Sequence, residues 1–183
     1  MWLNGPFGAG KTSAAGELVS SDPGWRLFDP EFVGFALRSQ LTDLGCSDFQ
    51  DLGSWRRLVP VFADDIARET HQDLVVVQTV VRKKYWTELV DGFHALGYSL
   101  RMVLIEASEQ TLRRRICEDE VLHRAADWRL QNLAPFFAAR EEWMTSAADL
   151  IVDTTSISPR RAAEQIAAAI GKWAHEDTPG GPS

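Results

Sequence analysis

The stretch GPFGAGKT, residues 5–12, decides the fold. It has a glycine, four free positions, then glycine, lysine and a hydroxyl residue, which is the Walker A or P-loop pattern. Each residue type has its own physical reason. Gly8 and Gly10 let the backbone turn so that successive N–H groups point into one anion-sized hollow. Lys11 brings a mobile positive charge to the outer phosphates of ATP, and the Thr12 hydroxyl suits a Mg2+ ion bridging them. A helix expected over residues 11–20 aims its positive N-terminal end at the same place. The expected nucleotide-binding set is therefore Phe7, Gly8, Ala9, Gly10, Lys11, Thr12 and Ser13, with Thr12 as metal ligand. A glycine-rich turn that merely joins strand to helix has similar lettering. The apolar run Met1-Trp2-Leu3 before the loop and the helical pattern after it supply the context that the motif requires.

Further along, short apolar segments recur at residues 25–28, 74–79, 100–105 and 150–152, several of them dense in β-branched residues. Helical patterns alternate with them. Trp55, Leu58, Val59, Phe62 and Ile66 recur on one face, as do Tyr85, Leu89, Phe93 and Leu96 before Gly97. Ser158-Pro159 opens a last helix with a capping hydroxyl and a first-turn proline. Strand and helix in alternation imply an α/β fold: a five-stranded parallel sheet with helices on both faces, and an active site at the carboxyl ends of the strands. With 183 residues, 45% of them hydrophobic, the chain suits one domain over residues 1–174, a short lid near 118–129 and a flexible tail over 175–183.

The formal net charge is −7, from 26 acidic and 19 basic side chains, so the overall field opposes nucleic-acid backbones. Cys46 and Cys117 lie far apart and outside any metal-spaced pattern, as expected of reduced thiols. No apolar run is long enough for a transmembrane segment, and the phosphate loop begins too early for a secretion signal. These features predict a cytoplasmic protein with a small-molecule substrate. They leave its oligomeric state open.

A P-loop alone does not choose among GTPase switches, ATPase motors and small kinases. The chain lacks an Asn-Lys-x-Asp or Thr-Lys-x-Asp run to read guanine, and it is short for a motor core, which leaves a kinase of the nucleoside or nucleotide type. Phe28-Asp29-Pro30-Glu31 supports this reading, because it sets two carboxylates at the end of the second strand, across from the loop. A phosphoryl acceptor needs its hydroxyl aligned with the γ-phosphate, and a carboxylate that accepts its proton does so. Asp29 is the candidate base, and it also fits a helix cap. Glu31 is a candidate for a magnesium-bound water or the substrate. In residues 112–116, Leu112 and Ile116 share a stripe, which puts Arg115 at its margin and within reach of the nucleotide, where it suits stacking on adenine. The mixed-charge segment 118–129 has the character of a lid that brings arginines to the moving phosphate, with Arg124 the first candidate and Arg129 the second. A solvated helix surface reads the same way.

Taken together, residues 5–12, Phe28-Asp29-Pro30-Glu31 and the segment GFALRS at 34–39 resemble the tunicamycin-resistance ATP-binding proteins. Asp48-Phe49-Gln50, Trp55-Arg56 and the run from Thr111-Leu112 to Arg115 add to the resemblance, which extends from Trp2 to about Ile170. More distantly the chain is similar to the chloramphenicol phosphotransferases. The resemblance implies a nucleoside-kinase-like P-loop NTPase fold that binds ATP and gives resistance to tunicamycin, a lipid-bearing uridine antibiotic, by phosphorylating one of its hydroxyls. The residue reading and the resemblance fit together in a substrate site made by Asp29, Glu31, Arg38 and Thr79, with Lys11, Asp29 and Arg124 as the catalytic set. Two alternatives remain: a kinase for another nucleoside, nucleotide or antibiotic hydroxyl, and an ATP-dependent binding protein that sequesters tunicamycin without chemistry. Phe32, Phe35, Phe49, Trp55 and Phe62 supply apolar surface near the acceptor side that suits a fatty chain, although aromatics at helical spacing are more often core.

Overall fold

The computed structural model describes residues 1–45 and 48–176; Cys46, and residues 177–183 of the expected tail, lie outside the described residues. Five strands, β1 (Trp2–Asn4), β2 (Trp25–Phe28), β3 (Asp73–Val77), β4 (Met102–Glu106) and β5 (Leu150–Asp153), form one parallel sheet in the order β2-β3-β1-β4-β5. All five apolar segments begin and end within two residues of where the sequence predicts, because a buried parallel strand is a continuous apolar run bounded by polar turns.

Alternation along the strands divides the core into two layers. Trp2, Leu74, Val76, Met102 and Leu104 face one side, where they meet Val33 of α2 (Glu31–Gln40), Trp55 and Val59 of α3 (Gly53–Thr70), and Leu89 and Phe93 of α4 (Lys83–Ala95). Leu3, Val75, Val103 and Ile105 face the other, against Ala14 and Leu18 of α1 (Lys11–Ser21) and Leu112 and Ile116 of α5 (Glu109–Cys117). Ala162 and Ile166 of α9 (Pro159–Glu176) complete that layer. Between α5 and β5 the chain forms α6 (Ala126–Gln131), α7 (Leu133–Ala139), a π-helical turn (Arg140–Met144) and α8 (Thr145–Ala147). The π-turn sets Arg140 against Glu106 at the end of β4, with contacts of 2.5 and 2.9 Å.

The aromatic stripe of α3 divides in a way its spacing does not reveal. Trp55 and Val59 are fully buried, whereas Leu58 and Phe62, one residue row over, are 41% and 52% exposed. Trp55 and Phe49 are core residues, and Phe32, Phe35 and Phe62 are surface residues. The Trp55 indole also donates from Nε1 to the Pro30 carbonyl at 3.0 Å, fixing the start of α2 against α3. Trp55→Ala is expected to lower unfolding free energy by about 3–5 kcal/mol, while Phe32→Ala changes it by less than about 0.5 kcal/mol. Urea denaturation of the two variants checks the division, and similar losses in both would contradict it.

Candidate functional site

The phosphate loop sits between β1 and α1 near the middle of the sheet. Gly8 and Gly10 have φ values of 78° and 88°, a left-handed conformation that L side chains rarely adopt. Gly10 also caps α1 without any side-chain bond, and no acidic residue stands in the first turn, so the helix presents bare N–H groups to the hollow. The start of the loop is clamped. Asn4, fully buried, accepts the Gly5 and Val80 N–H groups on Oδ1 (2.9 and 3.1 Å) and donates from Nδ2 to the Val80 carbonyl (3.0 Å). The Thr79 hydroxyl donates to the Gly5 carbonyl at 2.6 Å, and Gln50 reaches the Thr79 carbonyl at 2.9 Å.

Lys11 folds onto its own loop. Its Nζ lies 2.8 Å from the Gly5 carbonyl and 2.9 Å from that of Pro6. Burial, and secondarily the Arg129 charge, lowers its pKa from 10.5 to about 7, against an opposing effect from Glu31. A bound polyphosphate raises that pKa again, so the complex holds a proton that the free protein has partly lost. Nucleotide binding is therefore expected to take up a proton above pH about 7, with affinity falling up to about tenfold per pH unit until the bound-state pKa is reached. Calorimetric titration in buffers of different ionisation enthalpy reads the uptake directly. Its absence in wild-type protein, or its persistence in Lys11→Ala, would refute the linkage to Lys11.

A cavity of about 820 Å3 surrounds the loop. Phe7, Gly8, Ala9, Gly10, Lys11, Thr12 and Ser13 all line it, as do Asp29, Glu31, Thr79, Arg115 and Arg129. Strand order gives the cavity two ends. β2 is one edge of the sheet and brings Asp29 and Glu31 to one side of the loop. β5 is the other edge and brings Thr154 and Ile157 to the opposite side. Asp29 accepts the Glu31 N–H on Oδ1 at 2.9 Å, so it caps α2 while facing the cavity. The Glu31 carboxyl is pushed up by burial first and by the Asp29 charge second, while Lys11 and Arg38 oppose the shift.

At the β5 end, Arg115 is a latch. Its Nη1 reaches the Gly8 carbonyl at 3.2 Å and the Thr154 hydroxyl at 3.1 Å, and its Nη2 donates to the Thr154 carbonyl at 2.7 Å. The buried Thr154 hydroxyl donates in turn to the Ala9 carbonyl at 2.8 Å. Sequence reading found Arg115 but missed Thr154 and Asn4, whose only sequence signal is a polar residue at the end of an apolar strand.

The two lid arginines differ in burial. The expected segment 118–129 is a turn followed by a short 3-10 helix (His123–Ala125) and the start of α6. Asp119 accepts the N–H groups of Val121 and Leu122 at 3.1 and 3.0 Å and pairs with Arg129 Nη1 at 2.8 Å. This turn leaves Arg124 exposed and outside the cavity wall, while Arg129, 6% exposed, lines it. Arg129 Nε has no hydrogen-bond partner among the described residues, and its guanidinium lies 5.8 Å from the Phe7 ring. A buried guanidinium with a spare donor suits an incoming phosphate oxygen. Arg38 is exposed on α2, 5.5 Å from the Phe49 ring, and lies outside the cavity wall.

The loop geometry fits a nucleotide polyphosphate, and the Thr12 hydroxyl is placed in its wall. Groups of three or more His, Cys, Asp or Glu side chains able to hold a metal are absent among the described residues. Among the described residues no helix is long and apolar enough to cross a membrane.

A family profile described as an AAA domain matches residues 1–121. The chain belongs to this family. No curated protein matches it. Among solved structures, it is similar to the tunicamycin resistance protein of Deinococcus radiodurans, with 29% identity, a TM-score of 0.69, and coverage of 93% of this chain and 94% of that one. The family resemblance read from residues 5–12 and 28–39 is thus borne out. A sugar kinase from Janibacter is similar at 15% identity and TM-score 0.69, covering 93% and 92% of the two chains. Shikimate kinase from Acinetobacter baumannii is similar at 15% identity and TM-score 0.61, covering 97% and 94%. These two likenesses extend the P-loop fold of small-molecule kinases over nearly the whole chain.

Proposed function

We propose that this protein is an ATP- and magnesium-dependent phosphotransferase that phosphorylates a hydroxyl of tunicamycin or a related uridine-containing compound. The observation that carries the reading is the opposition, in one cavity, of two carboxylates at the end of β2 to a lysine-bearing phosphate loop and a buried arginine. The likeness to the Deinococcus protein named for tunicamycin resistance supports the acceptor.

The residues divide the work by position. The loop amides and Lys11 hold the β- and γ-phosphates, and Lys11 leaves the Gly5 carbonyl to do so while Thr79 keeps that carbonyl paired. Thr12 would help hold a magnesium ion, which when bound would supply charge neutralisation across the transferred group. Asp29 orients the acceptor hydroxyl and takes its proton. The hydroxyl oxygen then bonds to the γ-phosphorus as the bond to the β–γ bridging oxygen breaks, and ADP leaves. Arg129 neutralises charge on the moving phosphoryl group, taking the role expected of Arg124. Arg115, fastened to Gly8 and Thr154, keeps the loop at its distance from β5 and lines the end that receives the base.

Mass spectrometry of tunicamycin after incubation with protein, magnesium and ATP tests the proposal against a Lys11→Ala control. A product heavier by one phosphoryl group and absent from the control is expected. Unchanged drug that stays bound to the protein would replace transfer by sequestration. Unchanged, unbound drug would move the search to other nucleoside or antibiotic hydroxyls.

A further inference from the structure

On the outer side of Asp29 lies a second hollow of about 550 Å3. Leu27 and Asp29 line both this groove and the phosphate cavity, so the two adjoin at these side chains. Alternation along β2 accounts for the shared wall, because residues two apart project to the same side. The rest of the groove is mainly apolar: Phe28 and Phe32 from β2 and α2, and Phe62 and Ile66 from α3. Phe62 stacks on Phe28 with ring centroids 6.4 Å apart and planes 19° from parallel. Leu27, Phe32 and Phe62 are 41%, 69% and 52% exposed, although the same helices bury Val33, Trp55 and Val59 beside them. Folding therefore has apolar surface to spare here, set in a concavity that ends at the candidate base.

We propose that this groove binds the neutral hydrocarbon tail of an amphipathic acceptor whose hydroxyl is held at Asp29. The inference rests on the phosphotransferase reading for the hydroxyl, but the tail site itself stands on the groove. Its volume lies within the range of small-ligand pockets, about 300–1,000 Å3. The rim carries Asp65 and Glu69 against one cation, Arg26, and Asp29 adds a third carboxylate, so its net charge is negative. An acidic rim disfavours a fatty-acid carboxylate or an anionic lipid surface and leaves an uncharged chain as the matching ligand. Tail burial adds affinity at about fourfold per methylene removed from water. It acts far from the transferred phosphate, so it lowers KM and leaves kcat nearly unchanged.

The test uses octyl, decyl and dodecyl β-glucosides below their micelle concentrations, titrated calorimetrically into wild-type protein and into the Phe32→Asp, Phe62→Asp double variant. Both side chains are exposed, and unchanged affinity for a non-hydrolysable ATP analogue confirms that the variant is folded. The expected result is affinity rising about fifteenfold with each two-carbon step in the wild type, and flat in the variant. Equal affinity across the series, or a gain that persists in the variant, overturns the proposal. So does a wild-type dimer that sedimentation shows to become monomeric in the variant while no glucoside binds, since a second copy of the chain would then cover the groove. None of these readings requires turnover. Chain-length-dependent binding without phosphorylation of any acceptor keeps the tail site and removes the kinase reading.

Discussion

Asp29→Asn is expected to lower kcat for phosphoryl transfer by about 10²- to 10⁴-fold, with nucleotide affinity close to that of the wild type. The amide keeps the size of the carboxylate and can still accept the Glu31 N–H that Asp29 now receives at 2.9 Å, so the start of α2 is preserved. It cannot take a proton from an acceptor hydroxyl. Steady-state kinetics on the phosphorylated product, with the ATP analogue titrated in parallel, separates the two effects. Full activity in the variant would remove Asp29 as base and direct attention to Glu31, whose carboxyl burial raises above its ordinary range.

Lys11→Ala is expected to cost about 10²- to 10³-fold in kcat, the scale for losing one preorganised donor to developing charge, and to weaken nucleotide binding as well. It carries a second, independent signature in stability. The folded-state pKa of Lys11 is lowered from 10.5 to about 7, so between those values the unfolded chain binds more protons than the folded one. Wild-type stability attributable to Lys11 therefore rises with pH across that window, because the cost of burying the charge is relieved as the folded-state amine deprotonates. The alanine variant loses that slope. Denaturation midpoints at a neutral and an alkaline pH check it, and parallel curves for the two proteins would show that Lys11 keeps an ordinary pKa in the folded state.

Much of this architecture was legible in the sequence, for physical reasons that also mark where legibility stops. Residues 5–12 declare the loop because left-handed glycines, a lysine and a hydroxyl are local requirements. The strands declare themselves because a sheet covered on both faces demands uninterrupted apolar runs. That Asp29 and Glu31 line the cavity was legible because position at a strand end is implied by the topology. Long-range partners leave no such trace. That Arg129 rather than Arg124 lines the cavity depends on how Asp119 folds the turn at 119–122 and pairs with Arg129. Thr154 matters through contacts with Ala9 and Arg115 that are remote in sequence. Helical spacing placed Trp55 and Phe62 together, but neighbouring rows on α3 meet a packed sheet in one case and open solvent in the other. The π-turn at Arg140–Met144 likewise has no periodic signature, since it depends on the inserted turn that sets Arg140 against Glu106.

The edge position of β2 bears on solubility. This strand ends the sheet, so one row of its backbone donors and acceptors is open beside exposed Leu27, Phe32 and Phe62. Such an edge next to apolar surface invites strand addition and aggregation. Here the strand has only four residues, bracketed by Pro23 and Pro30, with exposed Arg26 inside it. An intruding strand finds no length to pair with and meets a proline beyond either end and a charge within. The protein can therefore keep a greasy surface open at its working edge without that edge becoming a template for fibres.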